Sequence, residues 1–122
     1  MHRNVSGKAP PVLVYLVTED WYFLSHRLAI ACEALKAGYE VHVATHVNMQ
    51  GAEIERCGFT LHPLHWRRGS FNPFDLLSII WQVRALYRKL APDLVHHVAL
   101  QSVLIGSLAA LGLPVVQLNA LT

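Results

Sequence analysis

Ser25, His26 and Arg27 stand together where apolar residues begin to recur at helical spacing. A first helical turn presents unpaired backbone N–H groups and the positive end of the helix dipole, so it attracts anions. An arginine there adds a planar fork that can grip a phosphate or carboxylate in two places. Asp20, Trp21 and Tyr22, a carboxylate and two aromatic rings, precede them in the same loop. The plainer use of these residues is structural, with Ser25 as a cap or first-turn residue and Arg27 as a solvated charge. His97 closes a later apolar run and offers an acid/base group or a phosphate donor, or else a satisfied polar group at a strand end. Gln101 follows in the loop after it.

Other chemistries are excluded by what these positions lack. A dinucleotide fingerprint needs glycines after the first strand so that a pyrophosphate can approach the backbone, and none lies between Thr18 and Arg27. The P-loop pattern is absent. Glu19 and Asp20 could begin a phosphorylatable receiver site, but no aspartate ends the third strand and no lysine the fifth. The 8 histidines invite a metal, yet His96 and His97 are strand neighbours pointing to opposite faces, and no cysteine or carboxylate joins His42 and His46 at ligand spacing. No metal and no cofactor is therefore expected. A net charge of +2 is far below the cationic density of a nucleic-acid binder, so no nucleic-acid partner is expected.

The elements that must position these groups follow from periodicity. Val12 to Val17 is a continuous, β-branched-rich apolar run, which suits a parallel strand buried on both faces. After a loop from Glu19 to Phe23, the spacing of Leu24, Leu28, Ala31, Cys32 and Leu35 predicts a helix closed by Gly38. Glu40 to Thr45 reads as a second strand, Gly51 to Cys57 as a short helix, and Thr60 to Leu64 as a weaker third strand. Asn72 and Pro73 open a long helix, as cap and first residue, whose apolar face runs from Leu76 to Leu90. Cys32 and Cys57 form no disulfide pattern, and Met1 to Lys8 lacks the apolar core of a secretory signal, so a cytoplasmic chain is expected.

No Asp, Glu, Lys or Arg follows Asp93 in a chain that is 53% hydrophobic. The stretch from Val98 to Leu118 is long enough to cross a bilayer. Gln101, Ser102, Ser107 and the helix-ending Gly112-Leu113-Pro114 instead divide it into strand (Leu94 to Val98), helix (Leu100 to Leu111) and strand (Val115 to Leu118), apolar because covered on both faces. The expected fold is α/β, a doubly wound, mostly parallel, Rossmann-like sheet of five strands ordered 3-2-1-4-5, with helices on both faces. Residues 1–10 are read as a flexible segment and residues 11–122 as the domain. Ligands of such sheets bind beyond the carboxyl ends of the strands where the order reverses, here between the first and fourth strands.

The blocks VYLVTEDWYFLSHRLAIA, AGYEVHVAT, GSFNPFDLL, PDLVHHVALQSVLIGSLAA and PVVQLNALT, in this order, resemble the N-terminal, acceptor-side domain of retaining GT-B glycosyltransferases. More narrowly, they are similar to the subfamily-4-like enzymes of capsule, O-antigen and other lipid-linked glycan synthesis. The resemblance implies half of a GT-B fold, an acceptor-binding domain whose donor half is absent and which is expected to be inactive without it. Such an enzyme transfers a sugar from a nucleotide-sugar donor to a glycan or polyprenyl-diphosphate-linked acceptor with retention, usually without a metal. The nucleotide sugar would be met only through a missing or separate C-terminal domain, in a truncated gene product or in a natural half paired with a donor subunit. His26 and Arg27 match the family's HR block and are assigned to the acceptor cleft. Ser70, Asn72, Pro73 and Phe74 match its S-x-N-P-F block. Asn119 stands where many retaining relatives carry a histidine, and Gln101 where close relatives often carry a base; Asn119 and Thr122 remain cleft-lining candidates. The alternative function is a non-catalytic α/β module for a phosphorylated lipid or sugar, or for a partner subunit.

His65, Trp66, Arg67, Arg68, Phe71 and Phe74 mix aromatic and guanidinium groups ahead of a helix carrying Trp81, Arg84, Tyr87, Arg88 and Lys89. Rings settle at the headgroup level of a bilayer and cations near an anionic surface, so peripheral contact with the inner face of a cell membrane is expected here, in competition with ordinary packing of an amphipathic helix on the sheet.

Overall fold

The computed structural model describes residues 10–65 and 72–120. In chain order the elements are β1 (Val12–Glu19), α1 (Asp20–His26), α2 (Leu28–Lys36), β2 (Glu40–His46), α3 (Gly51–Arg56), β3 (Thr60–Pro63), α4 (Pro73–Leu90), β4 (Leu94–Val98), α5 (Leu100–Ala109) and β5 (Val116–Ala120). All four strand pairings are parallel and the order is β3-β2-β1-β4-β5, as expected from the run of β-α units. The fold is a Rossmann-like α/β half-domain.

Two apolar layers flank the sheet because alternate residues of β1 point to opposite faces. Val14 and Leu16 meet Ile79, Val83 and Tyr87 of α4 and Ile105 and Ala109 of α5. Leu13, Tyr15 and Val17 meet Phe23, Ala31 and Ile54 of α1, α2 and α3. Asn72 accepts a hydrogen bond from the Phe74 N–H at 2.9 Å, with Pro73 at the first helical position. Gly38, at φ 98°, takes the left-handed turn that ends α2, where its N–H and that of Tyr39 bond to the carbonyls of Leu35 and Ala34.

The segment after β1 departs from expectation. Glu19 to Phe23 is not a loop: β1 runs on through Glu19 and a helix begins at Asp20. The single expected helix is broken at Arg27, whose backbone (φ −124°, ψ −2°) caps the end of α1 and the start of α2. The early helix start is anchored by the Asp20 carboxylate, which is fully buried and accepts the N–H groups of Trp21 (2.7 Å), Asn48 (2.9 Å) and Gln50 (2.7 Å). This ties the start of α1 to the loop after β2.

The uncharged tail is indeed strand, helix and strand, but only β4 has cover on both faces. In β5, Val116 to Asn119 are all exposed. Without charges of its own, α5 has its C-terminal carbonyls bound by Arg84 of α4, which donates to the oxygens of Ala109 (3.1 Å) and Leu111 (2.6 Å). Among the described residues no helix is long and apolar enough to cross a membrane.

Candidate functional site

The strand order reverses between β1 and β4, which places a crevice beyond their carboxyl ends, between α1 on one face of the sheet and the start of α5 on the other. On the first side, Trp21, Ser25 and His26 are exposed and Tyr22 and Arg27 partly so. The Tyr22 and His26 rings stack with centroids 4.1 Å apart, and Trp21 meets Tyr22 edge-on at 5.7 Å. This makes an aromatic ledge suited to the apolar face of a planar or ring-shaped ligand. Ser25 and His26 lie in the last turn of α1, so they do not offer the helix-start N–H groups expected of them. Arg27 alone stands at a helix start, that of α2.

Beneath Arg27 lie Tyr15 and His96, paired across β1 and β4, their ring centroids 5.0 Å apart. Burial, then the Arg27 guanidinium, then His97 push the His96 imidazole down to about 4, so it is neutral at physiological pH. Burial raises the Tyr15 phenol, against the opposing pull of Arg27. Its hydroxyl is buried and has no hydrogen-bond partner among the described residues.

On the second side, Ala99 joins β4 to α5 at φ 74°, ψ 159°, a backbone region that L side chains rarely enter. It brings no side-chain cap, so the first N–H groups of α5 face the crevice unclaimed by a side chain. In that first turn the Ser102 hydroxyl is buried without a partner among the described residues, and Gln101 is partly exposed. Of Ser25, His26 and Arg27 only Arg27 lies at a helix start, and a second uncapped start is that of α5. Sequence reasoning missed it because alanine at a strained N-cap leaves no pattern.

His97 does not line the crevice. Its side chain points to the α4 and α5 face and is fully buried; Nδ1 donates to Asn119 Oδ1 at 2.8 Å and Nε2 accepts the Tyr87 hydroxyl at 2.8 Å. Burial lowers its pKa, with the Asn119 bond acting against the shift, and raises the Tyr87 phenol. With both nitrogens engaged, His97 packs under α4 and α5 rather than in the crevice as an acid/base group, and Asn119, itself exposed, gives its Oδ1 to His97. Asp20, saturated by three N–H groups, likewise has no place against a ligand. Thr122, with Trp66, Arg67, Arg68 and Phe71, lies outside the described residues. Phe74 sits on α4, 79% exposed.

One pair at the mouth of the sheet escaped the sequence. Glu19 and His46 end β1 and β2 in register, and their side chains meet at 3.1 Å. Among the described residues no group of three or more His, Cys, Asp or Glu is placed to hold a metal ion.

The same fold is found in a glycosyltransferase from Rickettsia africae (TM-score 0.74, 14% identity, 92% of this chain and 30% of that one) and in MurG of Acinetobacter baumannii (0.71, 19%, 90% and 35%). It is also found in a UDP-N-acetylglucosamine 2-epimerase (0.68, 9%, 90% and 33%). The chain spans about a third of the length of these structures, and at such identities the likeness establishes the fold alone. No curated protein sequence matches the chain. The family model described as "Glycosyl transferase 4-like" matches residues 12–120. A match over nearly the whole chain, on half of a GT-B fold, makes this protein a member of the glycosyl transferase 4-like family.

Proposed function

We propose that the chain is the acceptor-side half of a retaining glycosyltransferase, of the kind that builds capsule, O-antigen or other lipid-linked glycans from nucleotide-sugar donors. The observation that carries this reading is the crevice between β1 and β4. It has an aromatic ledge of Trp21, Tyr22 and His26, a guanidinium at Arg27, and the uncapped start of α5, whose first turn holds the buried Ser102 hydroxyl. A sugar ring laid on the ledge would leave its attached phosphate between Arg27 and the first N–H groups of α5. Both favour negative charge.

No glycine-rich loop follows β1, so the crevice has no cradle for a nucleotide diphosphate, which fits a donor held by another domain or subunit. Transfer requires both substrates in near-attack geometry, and one wall of that arrangement is present in this chain. We therefore expect no transfer by the chain alone and transfer once a matching donor-binding domain is supplied in trans. Retention is read from the anomeric configuration of the product by NMR. With polyprenyl-diphosphate sugar as acceptor, Arg27→Ala is expected to raise the acceptor KM about 10- to 100-fold, the worth of one charge-assisted contact. Acceptor binding without any transfer in the reconstituted pair would favour a non-catalytic module, and unaltered kinetics in Arg27→Ala would remove Arg27 from the site.

A further inference from the structure

At the β3 edge of the sheet, on the far side of β2 from the crevice, a cavity of about 330 Å³ opens between β3 and α4. Small-molecule sites of this size combine an apolar wall with a few placed polar groups. Here Pro63, Leu64 and Leu86 supply the wall, and the polar lining is His62 of β3 with Gln82 and Lys89 of α4. Gln82 is already engaged, accepting the His65 N–H at 3.0 Å and donating to Ser78 Oγ at 3.2 Å. Lys89 has no ion pair among the described residues, and no acid lines the cavity.

His62 ends a relay of three side chains. The Glu40 carboxylate accepts from Nε2 of His42, itself buried, at 2.6 Å, and His42 Nδ1 meets His62 Nε2 at 2.8 Å. A carboxylate only accepts, so in the neutral pair His42 carries its proton on Nε2 and accepts from His62 through Nδ1. His62 is left with a bare Nδ1, which has no hydrogen-bond partner among the described residues. The titratable groups around His62 are His42 on β2, with Glu40 behind it, and Lys89 on α4. Burial, then His42, then Lys89 lower its pKa, so that nitrogen stays unprotonated near neutral pH. The cavity thus offers one acceptor and one ammonium. A sulfate ester satisfies only the ammonium, whereas a phosphate ester bearing one proton satisfies both, its P–O–H donating to the imidazole and a charged oxygen meeting the point charge of the lysine. We infer that this cavity binds a small phosphate monoester in its singly protonated form, with the ester's carbon skeleton against Pro63, Leu64 and Leu86. The site stands apart from sugar transfer and is tested without donor or acceptor.

The test is titration calorimetry of the full chain carrying Arg27→Ala, which silences the crevice, with phenyl phosphate, phenyl sulfate and inorganic phosphate as probes. Singly protonated phenyl phosphate and phenyl sulfate share charge and skeleton and differ in the proton. Near pH 6, phenyl phosphate is expected to bind about tenfold tighter than phenyl sulfate, the worth of a hydrogen bond to a buried acceptor, and tighter than inorganic phosphate, which leaves the apolar wall uncovered. Its affinity should fall about tenfold per pH unit above about pH 6, where the ester loses its proton, while that of phenyl sulfate stays level. Lys89→Gln should weaken both aryl probes about tenfold, and His62→Phe should abolish the preference for phosphate together with its pH dependence. Imidazole nitrogen NMR of the chain with β3 and α4 unaltered should show His62 Nδ1 bare and shifted by phenyl phosphate, a readout that needs no change in the cavity. The inference is overturned by absence of phenyl phosphate binding, by equal affinity for the two aryl probes, or by His62 resonances that do not respond. Inorganic phosphate bound as tightly as phenyl phosphate would overturn the assignment to an ester and leave a site for the free ion. Far-UV circular dichroism of each variant separates lost binding from lost fold.

Discussion

His96 and His97 are neighbours on β4 with opposite surroundings, one beside Tyr15 under α1 and α2, the other between Tyr87 and Asn119 under α4 and α5. Both are held neutral, His96 down to about 4 and His97 shifted in the same direction, and burial likewise lowers His62 on β3. In the unfolded chain each takes a proton near pH 6.5, so acid favours the unfolded state and folding stability rises with pH across the interval. The His96 shift sets the window: stability should fall as pH drops from about 6.5 to about 4, by up to about 3 kcal/mol from that residue, and level off below. Urea unfolding followed against pH checks this, and His96→Phe should flatten the slope, whereas an unchanged slope would remove His96 as its source. That these two side chains oppose each other was legible from strand alternation alone. Their partners were not, since Tyr87 and Asn119 lie on elements whose approach is set by packing rather than by local pattern.

The contact between β4 and α5 depends on one absent side chain. A Cβ at Gly106 would lie 2.2 Å from His97 Nε2, well inside van der Waals contact and on the atom that accepts the Tyr87 hydroxyl. Gly106→Ala must push α5 outward or turn the imidazole away from Tyr87, leaving a buried hydroxyl unpaired. A loss of about 2–3 kcal/mol is expected, against the slight gain in helix propensity that alanine brings to an unconstrained helix site. Chemical denaturation measures it, and a neutral or stabilised variant would mean that the two elements are looser than described. At this scale the strands, their order and the capped start of α4 were readable from β-branched runs and from Asn72-Pro73. The helix start at Asp20 was not, because it is anchored by Asp20 reaching the loop after β2, a contact between segments 28 residues apart. The start of α5 left no pattern either, having alanine at its N-cap.

At the level of the whole molecule, the two edges of the sheet differ. β3 is short and partly covered, whereas β5 exposes Val116 and Leu118 on an edge with no partner among the described residues, beside the leucines of α5. An edge strand with apolar side chains and no charge is a template for pairing with another chain. The isolated chain is therefore expected to self-associate with rising concentration, and Leu118→Lys with Leu104→Glu to shift it toward monomer in sedimentation velocity. A wild-type chain that stays monomeric at high concentration would show that this face needs no cover. That edge coincides with the charge-free tail. Its want of charge was plain in the sequence, but which of its strands lies exposed was not, because a strand buried on both faces and one at an edge read alike.

The pairing of β1 with β4 has a consequence in time. Val12 donates its N–H to the Asp93 carboxylate at 2.7 Å and accepts the Asp93 N–H at 2.9 Å, across 81 residues of chain. A growing polypeptide can pair β1 with β2 soon after both have left the ribosome, but the other edge of β1, at the centre of the sheet, must wait for a partner 81 residues further along. Parallel partners so distant pay their loop-closure entropy before any contact rewards it. During that interval the most apolar strand of the protein has one edge bare, and synthesis is the period when a chaperone would matter most to it.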